Sequence, residues 1–104
     1  MNNLIKRYEL KANIFKAMGH PTRLFIVDEL TKSEKCVCEL QEMIECDMST
    51  VSKHISILKN AGIIDSKKSG NKMFYRLKFT CIINFFGCVD NVIKRQIDDS
   101  LKSL

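Results

Sequence analysis

The sequence predicts a mainly α-helical chain with a single β-hairpin, an α+β fold, and three observations carry that prediction. Apolar residues recur at helical spacing through most of the 104 residues, the mark of helices that bury one face. Strand-like alternation is confined to residues 62–78, around Ser69-Gly70-Asn71. Basic charge is concentrated in residues 49–78, which hold seven basic side chains and one acidic, whereas residues 33–48 hold one basic and five acidic. A chain of this length makes one domain, residues 1–104, with a core small enough that pairing with a second copy would help bury its apolar surface.

Leu4, Ile5, Tyr8, Ala12, Phe15 and Met18 set a first helix, which Gly19 ends. Pro21 opens the second, because its missing N–H costs nothing at the first helical position, and Leu24, Ile26, Val27 and Leu30 continue it. His20, beside Pro21, is expected as a surface or capping residue. Val37, Leu40 and Ile44 mark a short third helix over residues 37–44. Asp47 or Ser49 can cap a fourth, whose apolar stripe is Val51, Ile55 and Leu58 and whose stop is Gly62. With the short turn Glu45-Cys46-Asp47-Met48 between them, the third and fourth helices make a helix-turn-helix. Residues 62–68 and 72–78 then form a hairpin with a basic tip, with Met73, Tyr75, Leu77 and Phe79 on one face and Phe74, Arg76 and Lys78 on the other. From Thr80 to Leu101 the helical pattern returns, with Ile82, Phe86, Val89, Ile93 and Ile97 in one row that Phe85 and Val92 widen. That row is broader than a terminal helix needs to cover a small core, so together with the first helix it is the expected homodimer interface.

A helix-turn-helix followed by a basic hairpin is a winged helix, and its expected partner is double-stranded operator DNA. The fourth helix would enter the major groove by its N-terminal end, with Thr50, Ser52, Lys53 and Ser56 at base edges. Ser49, Lys59 and the wing residues Lys67, Lys68 and Lys72 would hold phosphates. His54, within the same helix, is expected to pack or to touch a phosphate rather than to bind metal. From charge alone a solvated basic face is equally open; the helix-turn-helix pattern decides for DNA. The chain is not expected to be an enzyme, because it has no Gly-rich phosphate loop, no Cys-x-x-Cys beside a βαβ pattern, and no nucleophile with an orienting His and acid. No apolar run reaches the roughly 18 residues that cross a bilayer, and the N-terminus lacks the apolar region of a signal peptide. No membrane partner and a reducing, cytoplasmic location are therefore expected.

Five cysteines in such a chain are read first as metal ligands or reactive thiols, and an odd number fits a closed disulfide framework poorly. Cys36 and Cys38 stand one residue apart in Lys35-Cys36-Val37-Cys38-Glu39-Leu40. The residues alone leave them open as ligands or as half-buried structural cysteines. In a regular α-helix two such positions point about 200° apart, so both can reach one ion only at a frayed or extended helix start.

Four stretches carry a family resemblance: Ala17-Met18-Gly19-His20-Pro21-Thr22-Arg23-Leu24, the Cys-Val-Cys step, Ser49-Thr50-Val51-Ser52-Lys53-His54-Ile55-Ser56-Ile57-Leu58-Lys59-Asn60-Ala61-Gly62-Ile63-Ile64, and Ser69-Gly70-Asn71-Lys72 before Phe74-Tyr75-Arg76-Leu77. Together they resemble the ArsR/SmtB family of metalloregulators over nearly the whole chain. The resemblance implies a homodimeric winged-helix repressor that holds its operator without ligand and releases it when an inducer binds. The Cys-Val-Cys step is similar to that of the arsenic-sensing branch, which implies arsenite or antimonite as inducer, with cadmium or lead as further thiophilic ions. No organic cofactor is implied.

Some arsenic sensors carry a third cysteine three residues after the second, where this chain has Gln41. A third thiolate would then come from Cys81 or Cys88, in the same subunit or its partner. These two share a helix face within about 20° but lie roughly 10 Å apart along the axis, too far to clasp one ion together. Both are equally open as small apolar fillers, and Cys46 reads as structural. The zinc sensors of the family use His and carboxylates on the terminal helix, and here Asp90, Asp98 and Asp99 stand there without a histidine. Two alternatives to ion sensing are kept: a thiol-redox repressor of the same fold, and a winged-helix regulator that senses nothing through its cysteines. Five acidic residues around Cys36 and Cys38 would raise nearby thiol pKa values, which weakens the redox alternative.

Overall fold

In a computed structural model, which describes residues 2–103, the chain runs α1 (Asn2–Met18), α2 (Pro21–Lys32), β1 (Lys35–Cys36), α3 (Val37–Ile44), α4 (Met48–Asn60), β2 (Ile64–Ser69), β3 (Lys72–Leu77) and α5 (Ile82–Lys102). The elements expected from the sequence are all present. β1 is an addition: it pairs antiparallel with β3, Lys35 opposite Tyr75 and Cys36 opposite Phe74, so the wing is a three-stranded sheet in the order β1-β3-β2. Two residues are too short a run for any periodicity to reveal.

The helix ends follow local chemistry. His20 caps α2, its Nδ1 accepting from the Thr22 N–H at 3.1 Å, and Pro21 follows it at the first turn. Asp47 caps α4 by accepting from the Thr50 N–H at 2.7 Å. At the other end Gly62 takes φ 80, with its own N–H on the Lys59 carbonyl and the Ile63 N–H on the Leu58 carbonyl, the paired bonds of a Schellman stop. The hairpin closes on Gly70-Asn71 between the paired Ser69 and Lys72. Gly70 has the positive φ, 63, that a two-residue hairpin needs at its first turn position.

The core lies where α2, α3 and α4 meet the root of the wing: Ile26, Val27, Leu40, Val51, Leu58, Ile63 and Ile64 are sealed from solvent. Each such side chain contributes on the order of 1.5–3 kcal/mol by leaving water, which fixes the angle between α3 and α4. The flanking helices contribute little to this core. From α1 only Ala17 and Met18 are buried, and from α5 only Ile82. Leu4, Ile5, Tyr8 and Phe15, expected in one apolar row, are exposed, as are Val89, Val92, Ile93 and Ile97 of α5. Leu24, expected to join the α2 row, is exposed too, and Met73 lies too near the hairpin tip to be covered. The radius of gyration is 16.4 Å, against about 13 Å for a compact domain of this length, because the two end helices project without cover. No helix among the described residues is long and apolar enough to cross a membrane.

Candidate nucleic-acid interface and cysteine sites

α4 forms because Asp47 supplies a cap, no Gly or Pro interrupts residues 48–60, and one stripe can be buried. Val51, Ile55 and Leu58 face the core, so the residues between them are turned outward by geometry alone. Ser49, Thr50, Ser52, Lys53, Ser56 and Lys59 are all exposed, as the stripe predicted. The Ser49 hydroxyl donates to Asp47 Oδ1 at 3.0 Å. The Thr50 side-chain and backbone bonds and the Ser49 bond hold the Asp47 carboxyl below the usual range, so the cap stays ionised in moderate acid.

The wing adds Lys67, Lys68 and Lys72, all exposed. Lys59 Nζ donates to Ser66 Oγ at 2.9 Å, tying the end of α4 to β2. Among the described residues none of Lys53, Lys59, Lys67, Lys68 and Lys72 pairs with a carboxylate, whereas Arg76 is engaged by Asp65 at 2.8 Å and by Glu34 at 4.0 Å. Asp65 first, with Glu34, raises the Arg76 pKa. Five lysines on α4 and the wing therefore present charge that no ion pair among the described residues ties down, the arrangement that exchanges counterions for phosphates.

His54 differs from its neighbours. It is half-buried and turned toward the start of α2, where Arg23 Nη1 lies 3.2 Å from its Nδ1 and the His20 ring centroid lies 4.7 Å from its own. Burial lowers its pKa, with His20, Arg23 and Lys53 adding to the effect. Of the two roles expected for it, packing matches this placement; an outward phosphate contact does not.

The cysteines are distributed over two regions. Cys36 is buried, with extended backbone (φ −86, ψ 166), and serves as both the last residue of β1 and the N-cap of α3. Its N–H donates to Glu39 Oε1 at 3.3 Å. That bond first, then the Cys36 thiol, Lys35 and Lys72, hold the Glu39 carboxyl below its ordinary range. Cys38 is exposed in the first turn of α3. The pair thus straddles a strand-to-helix junction, and the 200° separation of an ideal helix does not apply to it. Cys81 and Cys88 are exposed, at the cap and in the second turn of α5, and Cys46 is half-buried in the turn before α4. Among the described residues of one chain, no three His, Cys, Asp or Glu side chains converge as a metal site.

Comparison with known proteins accords with this architecture. Residues 20–66 match the family described as bacterial regulatory protein, arsR family. The chain is 42% identical over 72 residues to an uncharacterized HTH-type transcriptional regulator, MJ1325, of Methanocaldococcus jannaschii, covering 68% of this chain and 81% of that one. It is 35% identical over 74 residues to the cadmium resistance transcriptional regulatory protein CadC of Listeria innocua, covering 70% and 62% of the two chains. Its fold is shared with the homodimeric winged helix-turn-helix DNA-binding domain of Mb0332 from Mycobacterium bovis, at a TM-score of 0.82 and 21% identity over 95% of this chain and 92% of that one. A capped helix-turn-helix, a three-stranded wing and this kinship lead to one conclusion: the chain belongs to the ArsR family and is a winged-helix transcriptional regulator, not an enzyme.

Proposed function

We propose that the chain is a cytoplasmic repressor that binds operator DNA as a homodimer and lets go when a thiophilic metal or metalloid, arsenite foremost, is taken up by its cysteine thiolates. It needs no organic cofactor. Thr50, Ser52, Lys53 and Ser56 read base edges, while Ser49, Lys59, Lys67, Lys68 and Lys72 hold phosphates. The exposed apolar rows of α1 and α5 close on a second copy, which places two reading helices on a pseudo-palindromic site.

The observation that carries the sensing role is the position of Cys36, shared between the wing sheet and the cap of α3. An ion held by Cys36 and Cys38 would act on the residue that donates to Glu39 and pairs with Phe74 of β3, and so would compete with the Cys36–Glu39 bond and the β1–β3 pairing. Both the helix before the reading helix and the wing strand would respond, and differential binding to the two arrangements is what shifts the equilibrium. One chain supplies two adjacent thiols; the third ligand is Cys81 or Cys88, from its own α5 or its partner's. The cadmium-resistance role in the name of CadC supports an ion of this softness.

The test is an anaerobic titration of reduced protein with arsenite and, separately, cadmium, following the sulfur-to-metal charge-transfer band in wild type and in Cys36→Ser, Cys38→Ser, Cys81→Ser and Cys88→Ser. Saturation at one ion per subunit, lost in Cys36→Ser, Cys38→Ser and one α5 variant, is expected, with release of DNA at the same stoichiometry. No saturable band rejects ion sensing and directs attention to thiol oxidation. For the DNA face, Lys68→Ala should weaken binding to all duplexes alike and flatten the salt slope by about one, whereas Lys53→Ala should change sequence preference. Uniform scaling by both substitutions would remove Lys53 from the reading set.

A further inference from the structure

We propose that Arg23 is a positioning residue for the reading helix: it clamps His54 in the middle of α4 to the end of α1, and the clamp closes only while His54 is uncharged. This rests on the reading of α4 as the DNA-contacting helix.

Arg23 is half-buried in the first turn of α2 and reaches two other helices at once. Its Nε donates to the Ala17 carbonyl, one of the carbonyls that the last turn of α1 leaves without a helical partner. Its Nη1 meets Nδ1 of His54 at 3.2 Å. A guanidinium only donates, so His54 Nδ1 must accept and cannot carry a proton in this arrangement. His20 Nδ1 accepts from the Thr22 N–H, and its ring lies against that of His54 at 4.7 Å.

The charged groups acting on His54 are His20 and Arg23 from the α1–α2 junction and Lys53 from its own helix; α3 and β2, which also pack on α4, contribute none to that set. All three are cations or can become cations. A proton on His54 Nδ1 would set donor against donor and imidazolium against guanidinium within a half-buried site. Acid therefore opens the clamp and frees the centre of α4, one residue from Lys53, from α1. Direction separates this role from a phosphate contact by His54. A phosphate-binding imidazole would strengthen DNA binding in acid, whereas the clamp weakens sequence-specific binding in acid.

The experiment takes a duplex selected by wild-type protein from a random-sequence pool and a scrambled duplex of the same length, and measures both affinities between pH 5 and 8 at constant salt. Wild type, His54→Gln, Arg23→Gln and Arg23→Lys are compared, with circular dichroism to verify folding. The selected-to-scrambled ratio of wild type should fall about tenfold in acid, the worth of one charge-assisted bond. His54→Gln keeps an acceptor that does not titrate, so its ratio should stay flat with pH. Folded Arg23→Gln should show the lowered ratio at every pH, and the His54 imidazole resonances in its NMR spectrum should titrate at higher pH than in wild type. Arg23→Lys, which cannot span both acceptors with one rigid fork, should fall between. A wild-type ratio that stays flat or rises in acid, or a folded Arg23→Gln with wild-type ratio and wild-type His54 titration, overturns the clamp. Should Arg23→Gln fail to fold, the pH profile of His54→Gln decides alone. A wild type that prefers no duplex at any pH would overturn the DNA-reading role itself, a result distinct from loss of the pH dependence.

Discussion

α4 and α5 are both amphipathic helices with an apolar stripe at helical spacing, yet they end in opposite surroundings. In α4, Val51, Ile55 and Leu58 are 0%, 2% and 0% exposed; in α5, Val89, Ile93 and Ile97 are 40%, 49% and 56% exposed. Both stripes are written in the same residue types. The difference lies in what stands opposite: α4 is enclosed by α2, α3 and the wing root, whereas α5 enters the core only at its start, through Ile82 with Phe86 packed beside it, and beyond that meets the flank of α2 and Phe15 of α1, edge to face with Phe85. An amphipathic pattern thus states that a face will be buried, not by which molecule.

The largest effect should come from cutting the enclosed stripe. Leu58→Ala removes a side chain with no exposure and should cost about 3 kcal/mol, read as a lowered midpoint in denaturant unfolding with little change in slope. A cost below about 1 kcal/mol would mean that α4 is held by something other than its stripe. Ile97→Asp should leave the central fold intact but break the proposed association of two copies. Losing one apolar contact per subunit, about 1.5 kcal/mol each, weakens the dimer at least about a hundredfold. Sedimentation at micromolar concentration would detect it, and an unchanged dimer would move the interface away from this row.

The smallest effect is at the cap of α4. Asp47→Ala should lower the melting temperature at neutral pH. The hydrogen bonds from Thr50, with that from Ser49, hold the folded-state pKa of Asp47 below its ordinary carboxylate value, so its contribution is present above the unfolded-state value and is lost as pH falls through the lowered one. The gap between wild type and Asp47→Ala should therefore narrow below pH about 4. A gap independent of pH would show that the carboxylate charge is not what caps the helix.

How much of the candidate site was legible in the chain depends on the reach of each interaction. The outward set Ser49, Thr50, Ser52, Lys53, Ser56 and Lys59 followed from the stripe it opposes, since helical geometry sorts neighbours by angle alone. Pro21, Gly62 and Gly70 marked element ends, and the cap of α4 was narrowed to Asp47 or Ser49, because each acts within a few residues of its own backbone. β1 was not legible: Lys35 and Cys36 become a strand only because β3, about forty residues later, offers a free edge. The inward turn of His54 was hidden for the same reason, since its partners Arg23 and His20 lie more than thirty residues earlier.

By itself, then, the sequence determined the order and ends of the helices, the hairpin turn, the basic face and the presence of a thiol pair, because periodicity, capping and charge density are local properties of a chain. Only the tertiary structure decided that Cys36 joins the wing sheet to the cap of α3, that Arg23 bridges α1 to α4, and that the rows of α1 and α5 stay exposed. Each of these depends on which surfaces meet across long chain separations, and no local pattern encodes the partner of a contact.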